Sequence, residues 1–189
     1  MRRRMKLPRP TAATCAALLA GVAVLSGCGE NPRPDNASRE GLPEEVGHIE
    51  YNVYITRELN LRDIEDKGYY QEGEEAPPGH ALYGVFLEAC NLAKEGGEEI
   101  DTAGEFVIED TQGNKFEPLP LAEDNIFAYK PEALGGQDCI PEEGTLARSS
   151  PTNGSLLVFE LPLETLENRP LQLIITAPDS DEGRVELDI

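Results

Sequence analysis

Ile49-Glu50-Tyr51-Asn52-Val53-Tyr54-Ile55-Thr56 alternates residue by residue, with Ile49, Tyr51, Val53 and Ile55 on one side and Glu50, Asn52, Tyr54 and Thr56 on the other. Successive side chains of an extended chain point to opposite faces, so a period of two marks a strand with one buried face. Short apolar runs separated by turn residues continue the theme. Ala81 to Cys90 is apolar on both faces until Glu88 and reads as a central strand. Glu105 to Glu109 and Asn114 to Glu117 flank Asp110-Thr111-Gln112-Gly113, whose glycine supplies the positive φ of a tight turn, and predict a hairpin. Ser155 to Leu161, Leu171 to Ala177 and Arg184 to Ile189 complete the set, with a weak edge strand at Thr145 to Arg148. Nothing carries a sustained helical period, and Pro162 to Asn168 is expected to close into one helical turn. Seven or eight short strands predict an all-β sandwich.

Two stretches do not fit strands. Arg57 to Gly79 is charged and ends in Ala76-Pro77-Pro78-Gly79, and Leu119 to Asn153 is interrupted by Pro120, Pro131, Pro141 and Pro151. Loops of this length have packing or function of their own. The first mixes arginines with apolar and tyrosine anchors, a composition found at protein contacts, which makes Arg57, Leu61, Arg62, Asp63, Tyr69 and Tyr70 the candidate partner-binding residues. The competing reading has Leu59, Leu61, Ile64 and Tyr69 pinning the loop to the domain while the arginines pair with neighbouring acids.

At the other end, Met1 to Pro10 carries Arg2, Arg3, Arg4, Lys6 and Arg9 with no acid, and Thr11 to Val24 carries no charge. That is the charged and then apolar order of an export signal, too short for a transmembrane helix. It ends in Leu25-Ser26-Gly27-Cys28, which resembles the bacterial lipobox. The resemblance implies cleavage before Cys28 and a diacylglyceryl thioether on its sulfur, the thiol being the nucleophile. Two acyl chains at about 0.8 kcal/mol per buried methylene give a stable anchor. Residues 1–27 are thus expected to be a signal peptide. Gly29 to Gly47, polar and rich in Pro and Gly, is expected to make 28–47 a lipidated flexible tether before a single domain at 48–189. The expected location is the cell membrane, lipid-anchored, on the extracytoplasmic side.

All 36 acidic residues follow Cys28 while five of the 16 Lys and Arg precede it, so the processed chain has 11 bases against 36 acids, a formal charge of −25. Such a surface repels nucleic acid and anionic headgroups alike, which leaves the anchor to hold the membrane. Cys90 and Cys139 remain in the exported part, and a disulfide between them is expected. The alternatives are two inert buried thiols or, less in keeping with their spacing, a metal site with His48 or His80.

The order of runs resembles a bacterial family, the telokin-like, immunoglobulin-like domain of unknown function found in surface lipoproteins. The pieces are Val85 to Asn91, Glu105 to Glu109, Gln112-Gly113-Asn114, and the closing Val158-Phe159-Glu160-Leu161-Pro162. The resemblance implies an immunoglobulin-like sandwich with a binding or accessory role toward a protein or envelope component.

Catalysis has no motif to stand on: Gly-x-Ser-x-Gly, His-Glu-x-x-His and phosphate-loop patterns are missing from the sequence, and a nucleophile–base pair would have to use His48 or His80. The expectation is a binding protein that is not an enzyme, with no cofactor and no resident metal. Asp179-Ser180-Asp181-Glu182-Gly183 begins like a calcium loop but reads better as a tight acidic turn. Weak cation binding by Glu98, Glu99 and Asp101, or by Asp63, Glu65 and Asp66, defines the alternative, a calcium-responsive envelope module.

Overall fold

The computed structural model describes residues 37–71 and 73–189; the signal peptide, Cys28 and most of the expected tether lie outside them. The described chain is an all-β sandwich. One sheet orders β1 (Ser38–Arg39), β12 (Glu182–Leu187), β11 (Leu171–Thr176), β6 (Glu105–Glu109) and β7 (Lys115–Phe116). The other orders β10 (Ser155–Pro162), β4 (His80–Cys90), β3 (Ile49–Leu59) and β2 (Pro43–Val46), with β9 (Cys139–Ile140) also paired to β4. A separate two-stranded ladder joins β5 (Ile100–Asp101) to β8 (Ala133–Leu134). Among the described residues the longer strands are β2, β3, β4, β6, β10, β11 and β12, and two-residue pieces make up the rest; β2 lies where a tether is expected, and the expected run Asn114 to Glu117 shortens to β7. Among the described residues no helix is long and apolar enough to cross a membrane.

The core between the sheets is filled by Ile49, Tyr51 and Val53 of β3, Val85 and Leu87 of β4, Phe159 and Leu161 of β10, and Leu171, Leu173 and Ile175 of β11. β4 is central, paired on both edges, and its two faces are apolar because each is buried: Tyr83, Val85 and Leu87 between the sheets, Leu82 and Phe86 in a second cluster on the outer face. The period of β3 breaks where the sequence gives no warning. A bulge between Val53 and Ile55 shifts the register, so Thr56 turns inward and Ile55 turns to the outer face, where it is exposed.

The bulge is held by residues expected to be tether. Gly41 N–H donates to Val53 O at 2.7 Å, and the Glu40 carboxylate accepts from Thr56 N–H at 2.8 Å and from Asp188 N–H at 3.1 Å. Residues 38–46 are therefore strands β1 and β2, crossing from one sheet to the other and closing that side of the sandwich. The expected boundary at residue 47 falls inside the domain. Backbone pairing and the buried Val46 place the segment, although its composition has little to bury. The β2–β3 link is a two-residue turn, Gly47-His48, with positive φ at both positions as the hairpin twist requires.

The two long loops also have structure. Helix α1 (Ile64–Tyr69) begins at Asp63, whose carboxylate accepts from Glu65 N–H at 2.8 Å. Thr145 to Arg148 forms no edge strand: the Thr145 hydroxyl accepts from Arg148 N–H and starts helix α2 (Leu146–Ser149). The 3-10 turn η1 (Leu163–Glu167) stands where one helical turn is expected. Together the loops bury a second apolar cluster on the outer face of the β4 sheet. Leu59, Tyr69, Leu82, Phe86, Leu156 and Val158 form it, with Leu61, Tyr70, Leu119, Leu121 and Phe127 packed against them.

Candidate binding cleft

The sandwich has two unlike poles. The β2–β3 turn, residues 91–100 and the β11–β12 turn meet at an acidic pole, where Glu98, Glu99, Asp101 and Asp179 line one cavity of about 430 Å3 beside His48. Although these acids line one cavity, among the described residues no three of their carboxylates lie within 4.8 Å of one another, and Asp63, Glu65 and Asp66 lie elsewhere, at the start of α1. Asp181, in the tight acidic turn, is engaged across the pole, its carboxylate accepting from Gly47 N–H of the β2–β3 turn at 3.0 Å. Burial pushes the nearby Glu44 carboxyl up, the Arg184 N–H opposes the shift and Asp181 adds to it. β1 runs parallel to β12, away from this pole. The hairpin turn at 110–114 and η1 form the opposite pole.

At that hairpin pole a cavity of about 570 Å3 opens between the β6–β7 turn and η1. Its floor is organised by Asp110, which is buried. The Asp110 carboxylate accepts from Gln112 N–H at 2.9 Å, Asn114 N–H at 2.9 Å, Asn114 Nδ2 at 2.7 Å and Asn168 Nδ2 at 3.1 Å. Burial alone would raise its carboxyl, but these donors outweigh burial and hold it below the ordinary carboxylate range. Gln112 Nε2 donates to Asn168 Oδ1 at 2.8 Å, and the Thr111 hydroxyl donates to Asn168 O at 2.9 Å. Lys115, Phe116, Glu164 and Glu167 complete the walls. Turn-forming residues explain themselves locally, so nothing in the sequence marks 110–116 and 162–168 as two halves of one cleft.

A second groove, of about 420 Å3, lies on the side closed by residues 117–131, between Phe106, Leu119, Leu121, Tyr129 and Leu156. Leu119 N–H bonds Val158 O at 2.7 Å and Tyr129 N–H bonds Leu156 O at 3.0 Å, covering the edge of β10. Tyr129 Oη donates to Ala103 O at 2.9 Å and Ala103 N–H donates to Tyr51 Oη at 2.6 Å. Burial, with Tyr51 alongside, pushes the Tyr129 hydroxyl far above its usual range, so it stays protonated and structural.

The candidate partner-binding residues divide. Tyr69 is only 3% exposed, stacked edge-on against Phe86 and Phe127 at 5.1 and 4.8 Å. The Arg57 guanidinium lies over Tyr69 and Phe86 at 5.7 and 5.6 Å and pairs with the buried Asp66 at 2.6 Å. Asp63 caps α1, while Leu61 and Tyr70 pack against the outer cluster. Arg62 stays in solvent, in a bidentate pair with Glu75. Most of the segment therefore covers the sheet, and Ile64, named among its pins, is the residue that stays 90% exposed.

Cys90 and Cys139 form a disulfide between β4 and β9. Glu88 lies within 4.8 Å of both sulfurs, but its carboxylate is taken by Tyr54 Oη and Arg148, and disulfide sulfurs are not thiolate ligands. Next in sequence, the fully buried Asn91 donates from Nδ2 to Glu98 O at 3.0 Å and Leu134 O at 2.9 Å, and its Oδ1 accepts from Ala93 N–H at 3.0 Å. His48 and His80 sit at opposite poles, in the β2–β3 turn and at the start of β4, so they belong to no common site.

No protein-family model matches the chain, and neither does any curated protein. Among solved structures, the YjhA protein of Bacillus subtilis matches 80% of this chain and 99% of its own at 12% identity, with a TM-score of 0.47. The candidate lipoprotein YcdA of Bacillus subtilis matches 80% of this chain at 9% identity, with a TM-score of 0.50, and the chain spans 39% of YcdA's length. At that identity the likeness to YcdA is one of fold, an all-β sandwich.

Proposed function

We propose that the chain is a lipid-anchored, extracytoplasmic binding or accessory domain of immunoglobulin-like type that engages a cell-envelope component and performs no chemistry. The observation that carries the reading is the hairpin-pole cleft, whose walls are hydrogen-bonding and apolar groups on a fixed floor. Contacts ordered in advance lower the entropy lost on binding, which suits a binding role. The lipobox Leu25-Ser26-Gly27-Cys28 supports the anchor, and the fold shared with the candidate lipoprotein YcdA supports an envelope setting.

Crosslinking capture from native membranes tests it, with the full-length chain beside Cys28→Ala, in calcium and in chelator. The reading predicts an envelope component recovered with the anchored chain in both conditions. Recovery only in calcium would favour the calcium-responsive module, and turnover of a captured small molecule would contradict a non-catalytic role.

A further inference from the structure

We propose that the hairpin-pole cleft takes a neutral saccharide, an assignment that rests on reading the chain as a binding domain. Its floor is locked before any ligand arrives. Asp110 fixes Asn114 and Asn168 through their Nδ2 groups, and Gln112 Nε2 occupies Asn168 Oδ1. A site whose side chains are already ordered loses little entropy on binding. The groups left facing the cleft are of mixed kind. Asn114 Oδ1 and Gln112 Oε1 accept no hydrogen bond among the described residues, Lys115 brings ammonium donors, and Glu164 and Glu167 bring carboxylate acceptors. A sugar hydroxyl both donates and accepts, so adjacent hydroxyls on one ring satisfy donors and acceptors set side by side. The half-buried Phe116 ring adds an apolar surface of the kind that the C–H face of a pyranose covers.

Charge narrows the choice further. One ammonium faces two carboxylates, on a chain that is acidic overall, so an anionic ligand meets repulsion. A basic peptide would be attracted to the acidic surface generally, but its cationic side chains only donate hydrogen bonds and meet the Lys115 ammonium as a like charge. A volume of about 570 Å3 lies in the range of small-ligand sites.

The test titrates the full-length chain, purified in a detergent without a sugar headgroup, with chitotriose, cellotriose and maltotriose by calorimetry, with inorganic phosphate and oligolysine in parallel. The expected result is saturable binding of at least one trisaccharide, weakened about tenfold or more by Gln112→Ala combined with Lys115→Ala, at unchanged melting temperature. Gln112→Ala alone, which keeps the charge, should weaken it as well. No saturable trisaccharide binding, binding indifferent to these variants, or phosphate or oligolysine binding that they abolish would overturn the assignment. Anchoring is read separately from the membrane partition of Cys28→Ala, so the cleft and the anchor fail independently.

Discussion

Glu40 shows how much a single side chain outside any apolar run can decide. Its two oxygens take backbone N–H groups of Thr56 and Asp188, freed by the bulge in β3 and by the end of β12. Glu40→Ala leaves both without that acceptor and should cost about 1–2 kcal/mol in chemical denaturation, with Glu40→Gln recovering part of it. Asp110 works the same way at the hairpin pole, and its depressed pKa sets a pH dependence. A carboxyl held lower in the folded than in the unfolded chain contributes stability that is full above the unfolded value, about 3.9, and is lost as pH falls through the folded one. Asp110→Asn should therefore lower stability at neutral pH and flatten the acid limb of the stability profile. An acid limb as steep as in the parent chain would contradict this role. Neither role stands out in the sequence, because Glu40 takes backbone N–H groups of distant segments and Asp110 ties its own turn to the distant Asn168 amide, whereas periodicity records only burial.

At the scale of elements, the strands were legible wherever a face is buried continuously: β3, β4, β6, β10, β11 and β12 lie close to their apolar runs. The failures have local causes. Ile55 left the core because the bulge reset the period, residues 38–46 are strands held mainly by backbone pairing, and Thr145 caps a helix where an edge strand is expected. Arg57 to Gly79 was legible only in part, since the same arginines and tyrosines that make good contacts also make a good cover. Arg57→Ala removes the partner of the buried Asp66 and the cation over Tyr69 and Phe86, and should loosen this cover by about 2 kcal/mol, read as faster proteolysis between residues 60 and 79. Unchanged cleavage there would mean that the apolar cluster alone holds the segment. The disulfide joins β4 to β9 across a sequence separation of 49, so its reduction should cost about 4 kcal/mol in the chain-entropy account. A melting temperature indifferent to reductant would contradict that contribution.

For the molecule as a whole, the sandwich separates its tasks by position. One side is closed by β1 and β2 and the other by residues 117–131, while the long loops cover the outer face of the β4 sheet. The acidic pole and the hairpin-pole cleft lie open at opposite ends of the strands. This division was not legible in the sequence, because the cleft is assembled from turns that each have a local explanation. The proposed anchor is the reverse case, read from contiguous residues and independent of the fold. The claim that joins them, a binding domain held at a membrane from its N-terminal side, is tested most directly by mass spectrometry of the N-terminal peptide from purified membranes. The account predicts a chain that begins at Cys28 with a diacylglyceryl thioether on its sulfur. A chain that keeps residues 1–27, or that carries an unmodified Cys28, would contradict it.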